Sequence, residues 1–416
     1  MKTLAVRMYG ENDLRLECFE LPSISENEIL ARVVTDSICM STYKAAIQGK
    51  RHKRVPENID THPVIIGHEF CGEIVEVGKK WKGKYKAGSK FIIQPALCYN
   101  GSLDAPGYSY EYIGGASQYI VIPNEVMETD NLIPFSSDCF FKGSLSEPMS
   151  CIIGAFNANY HTEKGKYIHK MGTKPGGKML ILAGCGPMGI GAIDYAINAA
   201  DMPPELLVVT DLCEERLLKA KELFNHKSIV FLNSSEKDEL MKLSGGLGYD
   251  DVFVFAPSTE LVELGDSLLC EDGCLNFFAG PTDSDFSAKI NFYKAHYLQT
   301  HIVGTSGGNR EDMVAASMLM EKNIINPSTM ITHIGGLDAI IETTLDLPKI
   351  SGGKKLIYTG ISLPLSRIDD FEKLSCTNIE HSHLYKELDR ICKKHGGIWN
   401  AEAEKYLLNN GKKMEA

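Results

Sequence analysis

The run Met179-Leu-Ile-Leu-Ala-Gly184-Cys-Gly186-Pro187-Met188-Gly189 constrains the fold of this chain more than any other segment. It places a GxGxxG spacing directly after an apolar segment, 178–183, and at the start of a helical period, 189–200. A second apolar segment, 206–210, runs into Asp211, which lies 22 residues after Gly189 and precedes another helical period over 214–224. Apolar strands alternating with helical periods predict βαβ units on a parallel sheet. In that setting the first glycine permits the tight turn, the second lets the backbone approach a pyrophosphate, and the third lets helix pack on strand, while the helix N-terminus attracts the anion. Gly184, Gly186, Pro187, Met188 and Gly189 are therefore expected to bind a dinucleotide. An acid at the position of Asp211 accepts hydrogen bonds from both ribose hydroxyls and repels a 2′-phosphate, which favours NAD(H). Arg216, five residues on, keeps NADP(H) open, since it can pair with Asp211, lie over the adenine, accept a phosphate, or simply be a solvated helix charge.

Around this unit the chain divides. With 416 residues it is too long for one compact domain. Residues 29–34, 73–77, 90–94 and 118–122 read as short strands between turns, so the first 150 residues or so are mostly sheet. After residue 305, helical periods appear over 311–322 and 337–345, a short strand over 354–359, and further helices over 384–394 and 402–408. The last two carry Leu384, Leu388, Ile391, Leu407 and Leu408, which are expected to dock rather than face water. No internal repeat or low-complexity segment interrupts the pattern.

Composition excludes several classes of function. With 44% hydrophobic and 23% charged residues, the chain can bury a large core. A formal charge of −11 argues against general affinity for nucleic acid or anionic membrane. Arg7, Glu11, Asp13, Arg15 and Glu17 occupy the stretch where a signal peptide would need an apolar core, and no run reaches the length of a membrane span. Twelve cysteines without the dense spacing of a secreted framework predict a reducing, cytoplasmic setting.

A second constellation comprises Cys39, the triplet Gly67-His68-Glu69, and Glu147 in Ser146-Glu147-Pro148. Thiolate, imidazole and carboxylate together suit Zn²⁺, and three protein ligands with one open position make a catalytic site. Spacing alone leaves the bland alternatives open: a lone cysteine is usually packing, and a His-Glu pair usually lies at the surface.

The stretch Pro63-Val-Ile-Ile-Gly67-His68-Glu69-Phe-Cys-Gly72-Glu-Ile-Val-Glu-Val-Gly78 resembles the zinc signature of the medium-chain dehydrogenase/reductase family. Leu145-Ser146-Glu147-Pro148, the segment from Thr210 to Arg216, Ile302-Val-Gly304-Thr305-Ser306-Gly-Gly and Ile331-Thr-His-Ile resemble its polyol dehydrogenase branch, and especially the sugar-phosphate reductases within it. The resemblance covers residues 1 to about 360. It implies an α/β chain with a GroES-like β-rich catalytic domain over 1–150 and a doubly wound parallel-sheet Rossmann domain over 151–305. A return to the catalytic domain over 306–360 and a helical extension over 361–416 complete it, with the active site in the cleft between the two domains. It also implies that Cys39, His68 and either Glu69 or Glu147 ligate one catalytic zinc, with carboxylate exchange during turnover. Ser41 would touch the alcohol and relay its proton, and Gly280, Thr305 and Ser306 would lie near the nicotinamide.

Three departures from the family pattern carry expectations of their own. Residues 94–115 contain only Cys98, amid Tyr99, Tyr108, Tyr110 and Tyr112, so no structural zinc is expected. Thr42 replaces the aspartate usual after the hydroxyl residue. Gly307-Gly308 stands where the sorbitol enzyme has an Arg-Tyr pair, which argues against free sorbitol. The run Lys50-Arg51-His52-Lys53-Arg54 lies between two zinc-ligand candidates in an acidic chain. Arg51 and Lys53, with Lys44, are candidates to hold a substrate phosphate; the plain alternative is a solvated loop. The expected activity is a zinc-dependent, NAD(P)-linked interconversion of secondary alcohol and ketone on a sugar or polyol phosphate, by a homo-oligomer, dimer or tetramer. The rivals are a dehydrogenase for an unphosphorylated polyol, diol or amino alcohol, and a non-catalytic dinucleotide-binding redox sensor.

Overall fold

The computed structural model describes residues 1–416 apart from 164 and 201. Two compact units form, one from Met1–Glu147 with Pro327–Ala416, the other from Pro148–Asn326.

The second unit is built on a six-stranded parallel sheet. In space its strands run Ile229–Asn233, Leu206–Asp211, Lys178–Leu182, Tyr249–Val254, Leu269–Phe277 and His301–Gly304, so the third strand in sequence lies at one edge and the order reverses beside the first. That reversal is the switch point at which open α/β sheets bind ligands, outside the carboxyl ends of the strands. Both faces of the central strands are covered: Leu180, Leu182, Val208, Val252 and Val254 are buried on one face and Ile181, Leu207, Val209 and Phe253 on the other, as continuous apolar runs in parallel sheets require. Residues 306–326, assigned by sequence to the returning segment, fold within this unit. Asn309 caps the helix Arg310–Glu321, Asp312 accepts from Asn157 Nδ2 at 2.9 Å, and Asn326 N–H donates to Asp194 at 2.6 Å.

The first unit centres on an eight-stranded, mostly antiparallel sheet in which Ile29–Ile38 pairs with Phe70–Val77, Tyr119–Ile122 and, from the far end of the chain, Lys354–Tyr358. The helices Phe371–Thr377, Ser382–Lys394 and Ala401–Asn410 dock on it through Leu384, Tyr385, Leu388, Ile391, Trp399 and Leu407, which pack with Phe141, Leu145 and Tyr358. The expectation of a docked tail follows from this apolar periodicity.

At the centre of that contact Glu404, 2% exposed, accepts from the backbone N–H groups of Phe140 at 2.6 Å and Phe141 at 2.9 Å, and from the Tyr358 hydroxyl at 2.9 Å. Burial pushes its carboxyl from 4.5 up to about 7 in spite of those donors. Between these two values the unfolded chain is ionised while the folded chain stays protonated, so stability falls as pH rises through that window and levels off above it. Replacing Glu404 by Gln removes this dependence. Thermal melts of both proteins from pH 5 to pH 8 should show the wild type losing on the order of 2 kcal/mol relative to the variant. Parallel pH profiles would rule the effect out.

Candidate metal centre and nucleotide site

The metal-ligand candidates come together where two segments leave the large sheet. Cys39 follows the strand Ile29–Ile38 and opens the helix Met40–Gln48, with no side-chain capping bond. His68 and Glu69 precede the strand Phe70–Val77, after Gly67, whose φ of +90° favours glycine and whose missing Cβ would sit 2.4 Å from Asp36 Oδ2. One ligand atom from each of Cys39, His68 and Glu69 lies within 4.8 Å of the other two.

The protonation states suit a metal. Burial, opposed in part by Glu69, lowers His68 to about 4, which leaves a neutral imidazole with a lone pair to give. Burial, reinforced by the Glu69 charge, pushes the Cys39 thiol up to about 12, so without a cation the sulfur keeps its proton. Thr42 Oγ1 sits 3.3 Å from His68 Nδ1, while Ser41 Oγ lies 3.2 Å from Nε2 and 3.0 Å from Cys39 Sγ. Thr42 thus fixes the imidazole with a neutral hydroxyl, and Ser41 lies within hydrogen-bond reach of both ligand candidates. Tyr108, whose hydroxyl is 3.3 Å from His68 Nε2, closes the same side.

The two glutamates differ. Both Glu69 oxygens accept from the ammonium of Lys354, at 2.5 and 2.6 Å, and this pair is almost fully buried. The neighbouring Glu69 carboxylate keeps Lys354 protonated against burial. Glu147 stands outside the group of three, in the first turn of the helix Ser146–Ala158, close enough for its charge to act on both Cys39 and Lys354. Asp36, buried beside them, is raised well above the usual carboxylate range by burial and by the Glu69 charge. Sequence reasoning missed Lys354. Its one signal was a lysine pair inside a strand whose every residue is buried, where a charge requires a partner.

Of the basic run, Arg51 is 69% exposed and bonded to Glu11 at 2.8 Å, on the surface rather than against the metal candidates. Lys53 is exposed and Lys44 half-buried. Arg54, the last residue of the run, lies across the Tyr108 ring at 5.4 Å.

In the other unit the glycine motif opens the helix Pro187–Asn198, with Gly186 as a cap that makes no side-chain bond. A Cβ on Gly184 would come within 2.6 Å of Ile181 and one on Gly189 within 2.1 Å of the Gly184 carbonyl, whereas one on Gly186 would meet nothing within 4 Å. The open space at Gly186, above unsatisfied helix N–H groups, is the cradle an incoming phosphate requires. Asp211, buried at its strand end, accepts from the N–H groups of Cys185 at 3.1 Å and Cys213 at 3.0 Å. Arg216 projects from the next helix and is exposed. Gly280 and Thr305-Ser306 follow the ends of the fifth and sixth strands, the edge of the sheet at which the motif also lies.

Residues 25–130 match the alcohol dehydrogenase GroES-like domain. The chain is 51% identical to the L-sorbose 1-phosphate reductase of Klebsiella pneumoniae over 98% of this chain and 97% of that one. It belongs to the zinc-dependent medium-chain dehydrogenase/reductase family. Membership makes this chain an oxidoreductase, which removes the non-catalytic sensor from consideration. A second relative, the mannitol-1-phosphate 5-dehydrogenase of Aliivibrio fischeri, is 48% identical over 98% of this chain and 97% of its own length. The fold of 2R,3R-butanediol dehydrogenase from Bacillus subtilis superposes with a TM-score of 0.70 at 23% identity, over 86% of this chain and 99% of that one.

Proposed function

We propose that this dehydrogenase interconverts a secondary alcohol and a ketone on a sugar or polyol phosphate, of the L-sorbose 1-phosphate to D-glucitol 6-phosphate type, with one catalytic zinc and a nicotinamide cofactor. The observation that carries the reading is the convergence of thiol, neutral imidazole and carboxylate within 4.8 Å in a chain half-identical to a ketose-phosphate reductase. Cys39 and His68 would hold the metal, with Glu69, which lies within reach of both and is paired with Lys354, or Glu147, whose charge reaches Cys39, as the alternating carboxylate. Bound zinc supplies Lewis acidity, which eases loss of the alcohol proton in one direction and polarises the carbonyl in the other.

The remaining work falls to the chain itself. Ser41 relays the proton between the alcohol oxygen and solvent water, its hydroxyl giving up its own proton as it accepts the substrate's and reversing this in reduction, from a position within hydrogen-bond reach of both ligand side chains. The turn over 184–189 holds the pyrophosphate, with the N–H groups of Gly186, Met188 and Gly189 donating, Gly184 making the tight turn and Pro187, which has no N–H, starting the helix. Asp211 holds the ribose and favours NAD(H), while Arg216 lies over the adenine side. Gly280, Thr305 and Ser306 line the nicotinamide, oriented so that hydride passes between its C4 and the substrate carbon. We place the enzyme in the cytoplasm, in keeping with its twelve free thiols. A homo-oligomeric state is supported by Phe292, Tyr293 and Tyr297, which expose large apolar surface on one helix.

A steady-state screen of paired phosphorylated and free ketoses with NADH and NADPH, on a sample of measured metal content, tests this reading. The expected result is one zinc per chain and a kcat/KM at least about 10²-fold higher for a ketose phosphate with NADH, the scale of a charge-assisted phosphate contact. Equal rates on the free ketoses would return the enzyme to the unphosphorylated branch.

A further inference from the structure

Tyr108 carries more than its hydroxyl at the metal centre. Its ring lies 4.8 Å from that of His68, and His52 stacks on it at 5.6 Å, with planes 8° apart. The Arg54 guanidinium lies across it as well. The backbone fixes this arrangement: Arg54 N–H donates to His52 Nδ1 at 3.3 Å, and the Arg54 carbonyl accepts from the Ser109 hydroxyl at 2.7 Å, one residue beyond the tyrosine. Two chain segments are thus pinned together so that a cation lies one aromatic ring away from a metal-ligand candidate.

The guanidinium itself is incomplete. Arg54 Nε is buried from solvent and has no hydrogen-bond partner, and among the described residues no carboxylate forms an ion pair with this side chain. A desolvated guanidinium donor without a partner costs free energy, and such sites are kept where a ligand completes them. The surrounding charge has the matching sign, since Arg54, Lys53 and Lys44 all act on His52 and hold its imidazole toward the neutral form after burial. In a chain of net charge −11 this is a local cationic cluster. Arg51, by contrast, is already neutralised by Glu11.

We propose that Arg54 is the anchor for the phosphoryl group of the substrate, with the His52–Tyr108 stack as the wall that positions it. This rests on the sugar-phosphate reading above and assigns that specificity to one side chain. The guanidinium fork presents two parallel N–H donors to two phosphate oxygens, a planar bidentate match that a lysine ammonium, acting as a point charge, does not reproduce. In a ketose 1-phosphate the ester lies on the carbon next to the carbonyl, so an anchor one ring from His68 holds the reacting carbon at the metal centre.

The test compares full-length, zinc-loaded wild type with Arg54→Gln and Arg54→Lys, using a ketose 1-phosphate, the free ketose and inorganic phosphate. For Arg54→Gln the expected result is a KM for the phosphorylated substrate raised about 10²-fold, with kcat changed less than about threefold. The kcat/KM for the free ketose and the KM for NADH should not move, and calorimetric binding of inorganic phosphate should disappear. Arg54→Lys should recover part of the phosphate binding, which a purely structural role would not produce, and it serves alone if the glutamine variant does not fold. If wild type prefers phosphorylated substrate and both variants keep that preference and bind phosphate, the anchor is overturned while the sugar-phosphate reading stands. A wild type that treats phosphorylated and free ketoses alike overturns both.

Discussion

Replacing Cys39 by alanine is expected to abolish metal binding and lower turnover by about 10³-fold or more, the scale of several kcal/mol of lost transition-state stabilisation. The fold should survive, because the thiol makes no capping bond at the helix it precedes and that helix is held by Thr42, Ala45 and Ala46 in the core. Metal content by elemental analysis, turnover and a thermal melt on one preparation separate the outcomes. A variant that keeps its zinc, or turns over normally without it, would remove the centre from the mechanism. Wild type offers a companion measurement. With the Cys39 thiol pushed up to about 12, binding zinc near neutral pH must expel one proton from sulfur, and apparent affinity should climb about tenfold per pH unit. An affinity independent of pH would mean that the sulfur is not a ligand.

The second large effect concerns Lys354. Truncating it to methionine leaves the Glu69 carboxylate buried without its counter-ion, a change that costs about 3–5 kcal/mol in such pairs. For a unit of this size the melting temperature should fall by roughly 10 °C. Adding Glu69→Gln to the same chain should restore most of the loss, since a neutral amide tolerates the apolar neighbour. If the single variant melts like wild type, Glu69 is not held by Lys354 and the division of labour between Glu69 and Glu147 must be redrawn. Zinc content of the single variant adds a further readout, because freeing Glu69 leaves it available to the metal.

The reach of sequence reasoning followed the range of the interactions involved. Local periodicity located the strand 206–210 and its terminal Asp211, the glycine turn, and the helices over 384–394 and 402–408, because period and turn chemistry are written in neighbouring residues. The family resemblance gathered Cys39, His68 and Glu69 from scattered positions that spacing alone could not join. Lys354 escaped because it lies 285 residues from the carboxylate it neutralises, and nothing near either residue names the other. The basic run was visible as charge, but five successive residues share that signal. Arg54 is distinguished from Arg51 only by the turn that lays one across Tyr108 and sends the other to Glu11. Glu404 was equally silent, since an acid in an amphipathic helix usually faces water and this one accepts the first amides of a distant turn.

The pairing of Ile29–Ile38 with Lys354–Tyr358 has a consequence for synthesis of the chain. The two strands are more than 300 residues apart, so on the ribosome the earlier one waits on the order of tens of seconds for its neighbour at typical elongation rates. The inserted Rossmann unit has all its strands by then and is free to form first, whereas the catalytic sheet keeps an open flank until its last partner emerges. Nascent chains stalled before residue 354 should therefore carry a protease-resistant nucleotide unit beside an unfinished, chaperone-dependent half.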